Sequence, residues 1–212
     1  MTTMAARIRN GSLWREDRNS ATLPEKVVTT VPVGGRPEYA VPDGKGLIWV
    51  NIEDKNETVG IEAKTGTVQK RIPLAGCDEP ASLAIDTANR RLFAGCGNKV
   101  LAVIDPDAGR VVATQPIGDH VDATVFDPEA GLVFSSNGDG TITVVRQSSP
   151  KDYRVVDTIT TMRGAKTMTM DRKTKKIYLP TVEGLPPTAT GPPRPGGPNY
   201  PLDTLVVLVV GK

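Results

Sequence analysis

Pro80-Ala81-Ser82-Leu83-Ala84-Ile85-Asp86 leads through a short turn into Arg91-Leu92-Phe93-Ala94, and this pair of apolar runs recurs along the chain. Pro37-Glu38-Tyr39-Ala40-Val41-Pro42-Asp43 precedes Leu47, Val121 to Asp127 precedes Leu132, and Ala165 to Asp171 precedes Ile177. The closing aspartates Asp43, Asp86, Asp127 and Asp171 return about every forty residues, and a period of that size built only of strands is the mark of a β-propeller. The expected fold is therefore all-β, a β-propeller of four-stranded antiparallel blades with about four blades in this chain. In such a fold blade stacking makes the architecture, while function sits in loops that the repeat does not constrain.

Within the first repeat, strands are expected at 39–41, 47–51, 58–62 and 67–73, with Gly44, Gly46 and Lys64-Thr65-Gly66 supplying the turns. The second repeat places them at 82–86, 91–94, 99–105 and 109–115, and the third at 123–126, 132–136, 141–146 and 153–160. Asn137-Gly138-Asp139-Gly140 is a strong hairpin signal inside the third. The fourth offers only 167–171, 176–180 and 204–210, while 27–33 is left over at the other end with the character of an outer strand. Pairing 27–33 with 204–210 would close a four-bladed ring without an exposed edge; the competing expectation is the C-terminal part of a larger propeller, an open arc or an assembly completed by another chain through self-association. Blades are thus read at 34–74, 75–117, 118–160 and 161–212 after a closing strand at 27–33, together a propeller domain over 27–212.

The 212-residue chain is 38% hydrophobic and 24% charged, ordinary for one globular domain. A formal charge of +2 does not indicate a nucleic-acid partner. The longest apolar run, Leu205 to Val210, is strand-sized, so no membrane-spanning helix is expected. Residues 1–26 carry Arg7, Arg9, Arg15 and Arg18 without the apolar stretch of a secretory signal, and read as a disordered or non-native leader.

Leu83-Ala84-Ile85-Asp86 with Arg91-Leu92-Phe93, Ala63-Lys64-Thr65-Gly66-Thr67-Val68, Asp105-Pro106-Asp107-Ala108-Gly109-Arg110-Val111 and Lys176-Ile177-Tyr178-Leu179-Pro180 resemble the bacterial YVTN-repeat, or YncE-like, β-propeller family. The resemblance covers Val27 to Lys212. It implies a binding or scaffold propeller of about seven blades, of which this chain would be a part with four, with a periplasmic or other extracytoplasmic address and no particular reaction.

A propeller gathers the loops before the first strand and after the second at one mouth of its channel. That geometry selects Arg36, Glu38, Glu79, His120, Asp122, Arg163 and Lys166 before first strands, and Asp54, Asn137, Asp139 and Glu183 after second strands, as ligand-binding candidates. Arg36, Arg163 and Lys166 would orient an anionic or peptide ligand; solvated loops without a ligand are the plainer alternative. His120 is the only histidine, which rules out multi-histidine metal sites and makes a Ser-His-Asp triad improbable. No metal site, cofactor or catalytic residue is assigned.

Cys77 and Cys96 fall toward the same end of one blade once 82–86 pairs with 91–94, so a disulfide between them is geometrically reasonable and would fit an oxidising compartment. Unlinked thiols in a reducing cytosol are the alternative. Residues 183–201 form a Pro-rich insertion on the mouth side of the last blade, either a tolerated surface loop or a partner ligand and flap. The leading expectation is a non-catalytic propeller that binds an unknown protein partner or small-molecule ligand at the channel mouth. The rivals are a metal-dependent, lactonase-like hydrolase using Asp122, Asn137, Asp139 and Glu183, and a subunit of a periplasmic redox or surface-layer assembly.

Overall fold

Alternating apolar strands separated by glycine and aspartate turns build a chain that is all-β apart from one short 3-10 turn at Glu53–Lys55 among the described residues. The computed structural model describes residues 7–9, 12–14, 27, 29–183 and 205–211. The chain divides into two units, Met1–Thr30 and Val31–Lys212.

In the first unit β1 (Arg7–Arg9) pairs antiparallel with β2 (Ser12–Trp14). Both strands lie within residues 1–26, which the sequence reads as a disordered or non-native leader. Asn10-Gly11, a two-residue hairpin signal, stands between them in the sequence.

In the second unit the first sheet runs β3 (Pro37–Pro42), β4 (Leu47–Ile52), β5 (Glu57–Glu62) and β6 (Thr67–Pro73), all antiparallel neighbours. The second sheet holds β7 (Pro80–Asp86), β8 (Arg91–Cys96), β9 (Val100–Asp105) and β10 (Arg110–Pro116) in the same order. The third holds β11 (Val121–Asp127), β12 (Leu132–Asn137), β13 (Thr141–Ser149) and β14 (Asp152–Thr160). The fourth has three strands, β15 (Thr169–Met170), β16 (Ile177–Val182) and β17 (Leu205–Val210). These are propeller blades of the expected antiparallel plan.

The expected closing strand at 27–33 does not form among its described residues, and β17 pairs with β16 alone. Inter-sheet packing joins consecutive sheets, with no substantial interface between the first and the fourth among the described residues. The four-blade ring closed by 27–33 is therefore not the observed arrangement. The Pro-rich insertion 183–201 lies outside the described residues except for Glu183, which is exposed in the turn after β16.

Three apolar layers hold the sheets together. Trp49, Leu83, Leu92, Ala102 and Ile104 fill the first interface, Phe93, Leu101, Val103, Phe126, Val133 and Val145 the second, and Ile142, Val144, Met168, Ile177 and Leu179 the third. One aromatic position sets the pattern: Ile48-Trp49-Val50, Leu92-Phe93-Ala94, Val133-Phe134-Ser135 and Ile177-Tyr178-Leu179 are equivalent in the second strands, and the aromatic turns toward the next blade. Trp49 fits because it lies against Gly60, where a Cβ would stand 2.9 Å from the indole. Phe93 packs on Phe126 at a centroid distance of 5.3 Å and edge-on to Tyr153 at 6.2 Å.

The repeat aspartates do two things. Each folds its own turn by accepting local N–H groups, as Asp43 does from Lys45 at 2.7 Å and Leu47 at 3.0 Å. The first three also receive a donor from the following blade: Arg90 Nη1 to Asp43 at 2.9 Å, Gln147 Nε2 to Asp86 at 2.8 Å and Lys175 Nζ to Asp127 at 2.9 Å. Arg90 and Lys175 hold φ of 55° and 60°, a left-handed conformation usually left to glycine, and Gly131 fills the same place at 62°.

Candidate functional site

The loops at the mouth end tie each blade to the next through polar pairs. In the first blade Arg36 Nε meets Glu53 Oε2 at 2.6 Å, while the Arg36 N–H donates to Asp54 Oδ1 at 2.6 Å. Burial, reinforced by the neighbouring Glu38 carboxyl, pushes Glu53 above the ordinary glutamate range despite Arg36. Arg36, Glu38, Glu53 and Asp54 thus form one cluster, and Glu53 is its least exposed member.

Between the first and second blades Asn56 is the connector. Its side-chain amide donates to Asp78 at 3.2 Å and its carbonyl oxygen accepts the Glu79 N–H at 2.9 Å. Asn56 and Glu79 have φ of 50° and 52°, so both sit in left-handed turns. Between the second and third blades Lys99 reaches Asp119 at 3.0 Å, and that hydrogen bond holds the Asp119 carboxyl below its ordinary value. The Asp119 N–H in turn donates to Asp139 at 2.8 Å. Between the third and fourth, Lys166 Nζ pairs with Asp122 at 3.1 Å and the Thr167 hydroxyl donates to the other Asp122 oxygen at 2.9 Å.

The structure therefore brings Arg36, Glu38 and Asp54 together in one place, and His120, Asp122, Asp139 and Lys166 near another. His120 has φ 57°, lies exposed beside Asp119 at 4.0 Å, and its Cβ and carbonyl face Gly138, which the Lys166 stem also approaches. Glu79 is exposed at the second blade's loop, Arg163 is exposed in the turn before the fourth, and Glu183 follows β16.

Asn137 is the candidate that the structure removes from the mouth. Fully buried, it donates from its amide to Thr141 at 3.0 Å and Thr143 at 3.1 Å, pinning the β12–β13 hairpin from inside. The amide thus braces the Asn-Gly-Asp-Gly turn, while the Asn137 carbonyl oxygen stays buried without a hydrogen-bond partner among the described residues. The residues of the hydrolase reading each have protein partners: Asp122 meets Lys166 and Thr167, Asp139 meets the Asp119 N–H and Thr141, Asn137 shares Thr141 with Asp139, and Glu183 is exposed after β16. Among the described residues no three His, Cys, Asp or Glu side chains gather as metal ligands.

Several functional-looking residues escaped the sequence reading. Asn56 and Asp119 carry cross-blade pairs that only their loop positions hinted at, and Asp119 meets Lys99, a residue that the sequence places after a second strand at the mouth. Deeper, Asn51 donates to the Ser82 carbonyl at 2.9 Å and accepts from Thr58 at 2.7 Å, and the Ser82 hydroxyl meets Thr124 at 2.7 Å. This thread of neutral hydroxyls and amides between inner strands has no repeat signature. Cys77 and Cys96 are joined by a disulfide with Cα atoms 5.4 Å apart, both side chains buried in the first blade-to-blade layer.

No family model matches the chain, and no curated protein matches it in sequence. Among solved structures it is similar to Kuenenia stuttgartiensis Hydrazine Synthase, with a TM-score of 0.63 and 13% identity over 74% of this chain and 45% of that one. At that identity the likeness is one of fold, and the chain spans less than half the length of its neighbour.

Proposed function

We propose that this chain is a YVTN-repeat, YncE-like propeller that acts as a non-catalytic binding module, taking a small polar ligand or a partner's loop at the mouth end. The observation that carries the reading is the set of polar pairs running from blade to blade at that end, Asn56–Asp78, Lys99–Asp119 and Lys166–Asp122. Each pair leaves hydrogen-bonding capacity exposed to solvent on a scaffold of rigid strands, the arrangement that suits recognition. The disulfide favours an oxidising, extracytoplasmic setting, because such bridges persist there and are rare in the cytosol.

Thermal-shift and calorimetric screens with anionic, carbohydrate and peptide libraries test the proposal. A ligand that stabilises the wild type but not the Lys166→Ala or Arg36→Ala variant supports it. Hydrolysis of an ester or lactone that disappears on chelation would replace it with the hydrolase reading.

A further inference from the structure

The face of each blade that meets the next one carries the same equipment, and the fourth sheet carries it with no neighbour to receive it among the described residues. Phe93 pairs with Val103 and Gly95 with Leu101 across β8 and β9; Phe134 pairs with Val144 and Ser136 with Ile142 across β12 and β13. The equivalent pairs in the fourth sheet are Tyr178 with Val209 and Pro180 with Val207. Leu101, Val103 and Ile142 are 0% exposed and Val144 is 4% exposed, whereas Leu205, Val207 and Val209 stand 57%, 57% and 54% exposed. The carboxylates follow the same pattern: Asp43, Asp86 and Asp127 each receive a donor from the next blade, whereas among the described residues Asp171 accepts from Lys173 and Thr174 of its own turn alone.

The matching receiving face is present at the other end of the same unit. The cross-strand pairs that accept a preceding blade are Leu92 with Ile104 and Val133 with Val145, all fully buried. Their counterpart in the first sheet is Ile48 with Ile61, which are only partly buried, beside Val50, Ile52 and Val59 of the same face, which are already buried within the chain. Val33 lies on that face after Pro32, as Leu74 after Pro73 and Ile117 after Pro116 lie in the first and second interfaces. The first sheet lacks one thing. Gly46 stands at the place of Arg90, and Ala63, whose N–H bonds Gly46 as Gln147 bonds Gly131, stands at the place of Gln147.

We propose that the outer face of the fourth sheet docks on the outer face of the first sheet of a second copy of this chain. The contact continues the blade-to-blade interface head to tail, through Tyr178, Leu205, Val207 and Val209 on one side and Ile48 and Ile61 on the other. A heterologous contact of this kind gives a closed ring or an open chain of copies. Apolar burial drives it, and the missing donor at Gly46 and Ala63 leaves Asp171 unlatched, so the association is reversible and weaker than the internal interfaces.

Sedimentation velocity of the full chain over a concentration series tests this, with circular dichroism verifying the fold of each variant. Wild type is expected to associate with concentration. Val207→Glu, a change at an exposed position, places a carboxylate in the contact and weakens association by about ten-fold or more. Ala63→Gln supplies the donor and tightens it about five-fold, and adding Asp171→Asn to that variant cancels most of the gain. The proposal is overturned if wild type and Ala63→Gln both remain monomeric throughout, if Val207→Glu leaves association unchanged, or if hydrogen exchange shows both faces protected within a monomer.

Discussion

Arg90 of the second blade donates to Asp43 of the first over 2.9 Å, and its other nitrogens grip Asp107 at 3.1 and 2.8 Å. The Asp43 side chain is 1% exposed, so this is a desolvated carboxylate whose one cationic partner comes from the next repeat. The pairing explains why an arginine occupies a left-handed turn position where glycine would cost less. Replacing Arg90 by Met should lower the unfolding free energy by about 2–3 kcal/mol in chemical denaturation, because Asp43 is left buried with only backbone donors. Lys should recover part of the loss, and Gly should destabilise less than Ala, since it relieves the left-handed backbone.

Acid sensitivity should follow from the same carboxylate. Burial raises the Asp43 pKa, but the hydrogen bonds from Arg90 and the N–H groups of Lys45 and Leu47 outweigh it and hold it below the ordinary value. A lowered folded-state pKa means a stabilising contribution that is complete above the unfolded value, about 3.9, and is lost as pH falls through the folded one. Asp43→Asn is expected to be less stable at neutral pH and flatter below about pH 4 in thermal melts. Glu53 runs the other way: its raised pKa favours the folded state at low pH and that advantage fades as pH rises. Glu53→Gln should therefore flatten the profile just above the ordinary glutamate pKa of about 4.3.

The disulfide closes a loop with a sequence separation of 19, for which the chain-entropy relation gives about 3 kcal/mol. The Cys77→Ser, Cys96→Ser double variant should lose about that much in denaturant titrations. In the native protein, thiol labelling after mild reductant should stay near zero, because both sulfurs lie inside the first core layer.

At the mouth the ion pairs should matter more for recognition than for folding. Lys166 and Asp122 are 26% and 35% exposed, so solvent screens their attraction to about 0.5 kcal/mol or less. Lys166→Ala is thus expected to leave the melting temperature within a few degrees of wild type while weakening any ligand found in binding screens. A large loss of stability instead would assign Lys166 a structural role.

Much of the scaffold was legible because its signal is periodic. Asp86 and Arg91 flank a turn that recurs at Asp127 and Leu132, and the strand pairs about these turns are the observed ones. The closing strand was misread because Val27 to Val33 has outer-strand composition, whereas pairing depends on an edge being in reach. Asn137 was misread for a related reason: its place after a second strand points to the mouth, but Thr141 and Thr143 draw its amide inward.

Sequence alone determined the blade plan, the turn aspartates and the neighbourhood of Cys77 and Cys96, since these depend on local periodicity and hairpin register over a few tens of residues. Tertiary structure alone decided that Arg90, Gln147 and Lys175 reach back to Asp43, Asp86 and Asp127, that Leu205, Val207 and Val209 are left exposed, and that the mouth is held by cross-blade pairs. Those contacts join side chains from different repeats, and whether they meet is set by how one sheet packs on the next, a long-range geometry that no single repeat encodes.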